Sequence, residues 1–410
     1  MPQTRVALDG RGCATWPLRD TGPMGQYPTE PEAVAGFTPW SFRAESKITW
    51  TPLVTGDAVY TVNSAGVIYA LDGARGEPRW SQRLPAGAAS IPVVAGGVVL
   101  LAVDPGGTYG QGQAMVALDA GTGQQLWDDP HRGFWGAAAA DRHGRVFVVD
   151  AGPRGAVLRA VDAATGATLW RADVEEWEKH RGARDHIFSI NTPVCVTGQR
   201  VLVHISTSVC YCLDGRDGTV VWRTAHGSHY NSYSAPAVHD GVVYLGTGDG
   251  GLVCLDADTG NIRYQGRPPW EALHAAVGWQ DPGQRSPVID QGVVVVSDGL
   301  FFGARNGYLC RYRPADGLRL VDNLAGGRGA PTPVPAGERV LALWPRGQLA
   351  AYDPHQDTPA WRSRLPRRTT GIAAGDHMFC YGRGRTLHTH TTATGHGPPT
   401  TPPWRHAPSL

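Results

Sequence analysis

The chain of 410 residues carries 37 Lys and Arg against 36 Asp and Glu, a formal net charge of +1. With both signs interspersed, neither nucleic acid nor an anionic membrane is an expected partner. No apolar run approaches the ~18 residues of a transmembrane helix, and 54 Gly with 32 Pro suit many tight turns rather than disorder.

The opening residues, Met-Pro-Gln-Thr-Arg, hold neither an apolar core nor a lipobox cysteine, so a cytoplasmic protein is expected. Residues 1–36 read as an extension, and Trp40-Ser-Phe-Arg43 as an isolated strand. An eleven-residue phrase, Ala-x-Asp-x-x-x-Gly-x-x-x-Trp, then begins to recur. It stands at Ala70/Asp72/Gly76/Trp80, Ala117/Asp119/Gly123/Trp127 and Ala160/Asp162/Gly166/Trp170. Cys takes the first slot at Cys212/Asp214/Gly218/Trp222 and Cys254/Asp256/Gly260/Tyr264. Eroded copies follow at Arg311/Arg313/Gly317/Val321, Ala351/Asp353/Asp357/Trp361 and Thr389/Thr391/Gly395/Pro399. Such a period signals a solenoid, a propeller or an array.

The residues before each copy decide among these. In the fifth unit, Ser234–Val238, Asp240-Gly241, Val242–Leu245, Gly248-Asp-Gly250 and Leu252–Leu255 alternate short β-branched runs with turn residues. That pattern predicts three strands and their hairpins, with the Trp or Tyr on a fourth beyond an Asp-to-Gly turn. Four strands per repeat make a propeller blade. The fourth-strand anchors are Trp40, Trp80, Trp127, Trp170, Trp222, Tyr264, Val321 and Trp361. Three further strands after Trp361 lack a fourth, which Trp40–Arg43 would supply. The expected fold is therefore an all-β, eight-bladed propeller of four-stranded antiparallel blades over 37–395, closed by the N-terminal strand. Seven blades is the alternative if the last unit does not form. Closure pairs the edge that the last blade would otherwise leave open, and a monomer is expected. The Pro/Thr/His-rich tail, 396–410, is expected to lack order.

These blades resemble the PQQ-like repeat family, which includes quinoprotein alcohol dehydrogenases and an outer-membrane assembly lipoprotein. The resemblance implies that each Trp docks on the neighbouring blade, and it specifies fold rather than chemistry. The family's quinone site uses adjacent cysteines. None of the seven cysteines here is adjacent to another, so PQQ is not expected, and no other cofactor or metal is. Cys210, Cys212, Cys254, Cys310 and Cys380 read as small core residues.

With strands A to D running outward from the axis, the A–B and C–D turns are short, and the length variation collects in the D–A and B–C connections. These share one face. The D–A segment 171–188 holds Glu175, Trp177, Arg184, Asp185 and His186, and 223–233 holds His226, His229, Tyr230 and Tyr233. The segment 265–283 holds Trp270, Glu271, His274 and Trp279, and 128–135 holds Trp135. The B–C segments 104–113 and 297–307 add Tyr109, Phe301 and Arg305.

Imidazoles and carboxylates supply general acid–base chemistry, and aromatic walls suit an organic ligand. His186, His229, His274, Glu175, Glu271 and Asp185 are thus the candidate catalytic residues. Tyr230, Tyr233, Trp135, Trp177, Trp270, Trp279, Arg184, Arg305, Phe301 and Tyr109 are the candidate ligand contacts. The expectation is a cofactor-independent lyase, cyclase or hydrolase acting on a small organic molecule at the axial mouth. The alternative is a non-catalytic protein–protein interaction scaffold using the same face.

Overall fold

A computed structural model describes residues 7–9, 12–14 and 37–393, apart from 89, 105–113, 130–137, 153–154, 175–193, 206–208, 227–235, 247–251, 267–288, 297–298, 305–307, 314–316, 323–331, 345 and 357. Every regular element among them is a strand. Ahead of the repeats, Ala7–Asp9 pairs with Gly12–Ala14. The tail 396–410 lies outside the described residues.

Seven four-stranded antiparallel sheets span 53–83, 139–173, 195–225, 237–266, 289–322, 332–364 and, with Ser41–Arg43, 373–391. The sheet over 87–129 has five strands, because Gly87–Ala88 and Val93–Ala95 both pair with Val98–Asp104. The expectation of eight four-stranded blades is thus corrected to seven of that form. The cause is length: Val98–Asp104 has seven residues, and Val93–Ala95 covers only Val98–Leu100, which leaves Val103 and Asp104 for a second partner.

First strands of successive sheets lie side by side, as Thr332–Ala336 does with Ala373–Ala374, and that pair in turn with Leu53–Thr55. This brings the two ends of the repeat array together, as a propeller requires. The N-terminal strand completes the last sheet, Ser41, Phe42 and Arg43 pairing with His388, Leu387 and Thr386.

The recurrent phrase now has a physical meaning. Its first and last residues are cross-strand partners: Ala70 opposite Trp80, Ala117 opposite Trp127, Ala160 opposite Trp170, Cys212 opposite Trp222, Cys254 opposite Tyr264 and Ala351 opposite Trp361. A small residue there leaves room for the indole beside it. In the turn, the Asp72 carboxylate accepts the N–H of Ala74 and Arg75, and Asp162 does the same for Thr165. The turn Gly has positive φ, +76° at Gly218, which only glycine adopts cheaply.

Each indole docks on the next sheet's turn. A Cβ on Gly218 would lie 2.5 Å from the Trp170 ring, and one on Gly166 would lie 2.8 Å from Trp127. The indole N–H then donates to the carbonyl that follows the next turn's Asp position. Trp40 reaches Gly73, Trp80 reaches Ala120, Trp127 reaches Ala163, Trp170 reaches Gly215 and Trp222 reaches Ala257, at 2.8–3.0 Å. Trp361 likewise reaches Thr392.

Where the repeat decays, another donor takes over. The Val321 side chain has no N–H to offer, and the buried Arg311 guanidinium donates instead to Pro354 O at 3.1 Å, the equivalent carbonyl. Tyr264, replacing Trp, stacks on Tyr312 with centroids 6.1 Å apart.

The 289–322 sheet departs from expectation in one respect. Ile289–Val296 is a single strand and Gly299–Ala304 pairs with it, so 297–307 is not one long B–C loop. The apolar run Leu300-Phe301-Phe302 suits a strand better than an exposed loop. The core lies between sheets. Phe147, Leu158 and Trp170, for instance, pack with Val201, Val203 and Leu213 of the next. The five strand cysteines named above are buried there as free thiols, and burial pushes Cys212 and Cys254 up to about 12, which suits packing and not nucleophilic chemistry.

Candidate functional site

Of the sixteen residues expected to act on a ligand, one is described. Phe301 is fully buried in its strand, packed with Leu309, Trp344 and Tyr352. It is a core side chain, not a ligand contact. Glu175, Trp177, Arg184, Asp185, His186, His229, Tyr230, Tyr233, Trp270, Glu271, His274, Trp279, Tyr109, Trp135 and Arg305 all lie outside the described residues.

Near the strand ends that lead into those segments, several described polar groups bond within the fold. Arg159, 3% exposed, donates to Asp150 in its own sheet and to Asp129 in the preceding one, both at 2.6 Å. Burial pushes the guanidinium's pKa down, and the two carboxylates more than offset this, leaving it raised. Spacing in the sequence gives no hint of this inter-sheet bridge, because 30 residues separate Asp129 from Arg159. His226, which reads from sequence as a loop histidine, is buried instead, its Nε2 2.9 Å from Nε2 of His204. One ring must donate and the other accept. Among the described residues, no group of three His, Cys, Asp or Glu could hold a metal ion.

A second imidazole cluster lies in the last sheet. His388 stacks on Tyr381 at 5.4 Å, and His390 Nε2 lies 3.2 Å from the Tyr381 hydroxyl. Burial, then His390, then Arg383 lower the His388 pKa below 6.5. A depressed folded-state pKa means that the unfolded chain binds the proton more tightly. Stability from this group is therefore full above about pH 6.5 and declines below it. Urea titrations at pH 7.5 and pH 5.5 should show that loss, and His388→Gln should make the pH dependence shallower.

The fold also leaves several large apolar side chains uncovered. Leu126, Leu169, Val220, Val221, Ile262 and Tyr264 are each 38–48% exposed. All sit on the outermost strands of four consecutive sheets, from 87–129 to 237–266. Leu126, Leu169 and Val221 occupy the position just before the docking Trp. A strand alternates its faces, so the side chain opposite the buried indole must point away from it. Among the described residues the outermost strand also has an unpaired edge, and apolar side chains along such an edge invite a partner.

Comparison with known proteins agrees with this picture of the fold and revises the expected activity. The outer membrane protein assembly factor BamB of Yersinia pestis is 26% identical over 231 residues, 54% of each chain. A polyvinylalcohol dehydrogenase of Sphingopyxis sp. is 25% identical over 55% of this chain and 34% of its own length. The chain thus spans about half the length, or less, of these curated relatives. The crystal structure of BamB from Moraxella catarrhalis superposes with a TM-score of 0.64 at 15% identity, over 86% of this chain and 96% of that one, which establishes the fold. Distant dehydrogenase relatives therefore exist, but none of these proteins is a lyase, cyclase or hydrolase. The names overturn the expected cytoplasmic acid–base enzyme, in both its activity and its location. Residues 32–149 and 153–322 match the family PQQ_2, described as outer membrane protein assembly factor BamB, and by that match the chain belongs to this family.

Proposed function

We propose that this protein is a non-catalytic propeller scaffold that holds a partner protein during outer membrane protein assembly. The observation that carries this reading is the apolar row on the outermost strands, Leu126, Leu169, Val221 and Ile262, on four neighbouring sheets. An extended segment of a partner laid along one of these edges would gain main-chain hydrogen bonds and cover the exposed side chains. The names of the assembly-factor relatives support a protein partner over a small molecule. We read the ring as eight blades over 37–395, with the five-stranded sheet in second place.

The test is a photo-crosslinking amino acid placed at Leu169 or Val221 in cells that make the protein natively, with Arg75 on an exposed turn as control. Discrete protein adducts are expected from 169 and 221 and none from 75. Absence of an adduct at both strand positions would overturn the reading.

A further inference from the structure

The balanced net charge conceals one strongly basic sector. Three connections meet at the end of the last sheet. Arg367 and Arg368 lie between the 332–364 and 373–391 sheets, Arg383 and Arg385 flank the hairpin at Gly384, and Arg43 and Lys47 lie on the path into the first sheet. All six are exposed, and among the described residues none has an ion-pair partner.

Main-chain bonds fasten these connections to one another. Thr370 N–H donates to Gly382 O at 2.8 Å, Ala44 N–H to Arg385 O at 2.8 Å, and Ile48 N–H to Gly384 O at 2.7 Å. Packing fixes them further: a Cβ on Gly382 would meet the Ile48 side chain at 2.5 Å. Arg368 is held at φ +64°, an uncommon conformation for a side-chain-bearing residue, so its placement is imposed by its surroundings. Glu45 is the one acidic residue on the described parts of these connections, and Arg83 neutralises it at 3.2 Å. Like charges thus sit on a rigid support without internal compensation, and each gains from an external anion.

We infer that the connections at 365–372, 383–386 and 43–48 form a docking surface for an acidic, extended segment of a partner protein, an inference that rests on the scaffold reading above. Five of the six cations are Arg, whose planar fork matches a carboxylate with two parallel hydrogen bonds. A membrane-binding surface would combine basic with exposed apolar side chains. Among the described residues, the large exposed apolar side chains all lie on the sheets from 87 to 266, away from this sector.

The experiment uses the full chain, a fluorescein-labelled peptide of alternating Glu and Ser, and vesicles of phosphatidylglycerol. Fluorescence anisotropy should show peptide binding that weakens with added salt. In the variant R367Q/R368N/R383Q/R385Q, Kd should rise about tenfold, since each exposed charge contact contributes modestly. Asn at 368 tolerates the left-handed backbone, and an unchanged Tm confirms the fold. The control R75Q/R142Q should bind within about twofold of the parent. Unaltered affinity in the four-site variant would overturn the inference, as would patch-dependent binding of vesicles but not of peptide. Crosslinks at 169 and 221 that persist in either case would show that the scaffold reading survives and only this surface fails.

Discussion

Replacing Arg159 with Leu should destabilise the protein by about 3–5 kcal/mol, because it strands two carboxylates whose shared cation lies between two sheets. Arg159 and Asp129 are both buried, and the guanidinium holds Asp129 and Asp150 at 2.6 Å each. The midpoint of urea unfolding should fall with an unchanged slope. The loss should shrink as pH is lowered. Unpaired buried carboxylates have folded-state pKa values above their unfolded ones, so protonation relieves the folded state first. Combining R159L with D129N and D150N should recover much of the stability, since the uncompensated charges go with the cation. An R159L protein as stable as the parent at pH 7.5 would show that the bridge contributes nothing.

Trp170→Ala should cost a similar amount, about 3–5 kcal/mol, by a different route. The indole is 9% exposed, lies 5.8 Å from the Phe147 ring centroid and rests on Gly218 of the next sheet. Truncation leaves a cavity that Gly218, lacking a side chain, cannot fill. Trp170→Phe should cost only about 1–2 kcal/mol. The lost N–H···O bond does not orphan its acceptor, because Arg145 Nη1 also donates to Gly215 O, at 2.7 Å. Hydrogen exchange should rise first in the 139–173 and 195–225 sheets, where the junction loosens. Equal effects of Ala and Phe would mean that the hydrogen bond, not the packing, holds the junction.

The relation between phrase and structure explains what could be read in advance. The ten-residue spacing from Ala70 to Trp80 is the length of a hairpin whose ends face each other, and local geometry enforces it in every copy. The Asp-to-Gly turn likewise needs only its own residues. Arg311 shows where such reading ends. Nothing near it in sequence says that it replaces an indole on Pro354, 43 residues away. His226 misleads for the same reason, since it is buried against His204, 22 residues away in another strand. Phe301 misled in the same direction, because an aromatic in a Gly-flanked segment resembles a loop contact until a partner strand covers it. The candidate ligand residues shared a weakness: a residue type suited to catalysis is equally suited to a solvated loop, and only convergence of side chains separates the two.

The amino-acid sequence alone determined the repeat, its four-stranded unit and the closing role of Trp40–Arg43, because each follows from contacts within about fifty residues or from a missing strand that one segment could fill. Only the tertiary structure decided which polar groups are bridges, which apolar side chains stay uncovered, and where the basic sector gathers. Those properties depend on which sheet lies beside which, and Arg43 pairs with Thr386, and Ala44 bonds to Arg385, only when a ring brings the two ends of the repeat array together.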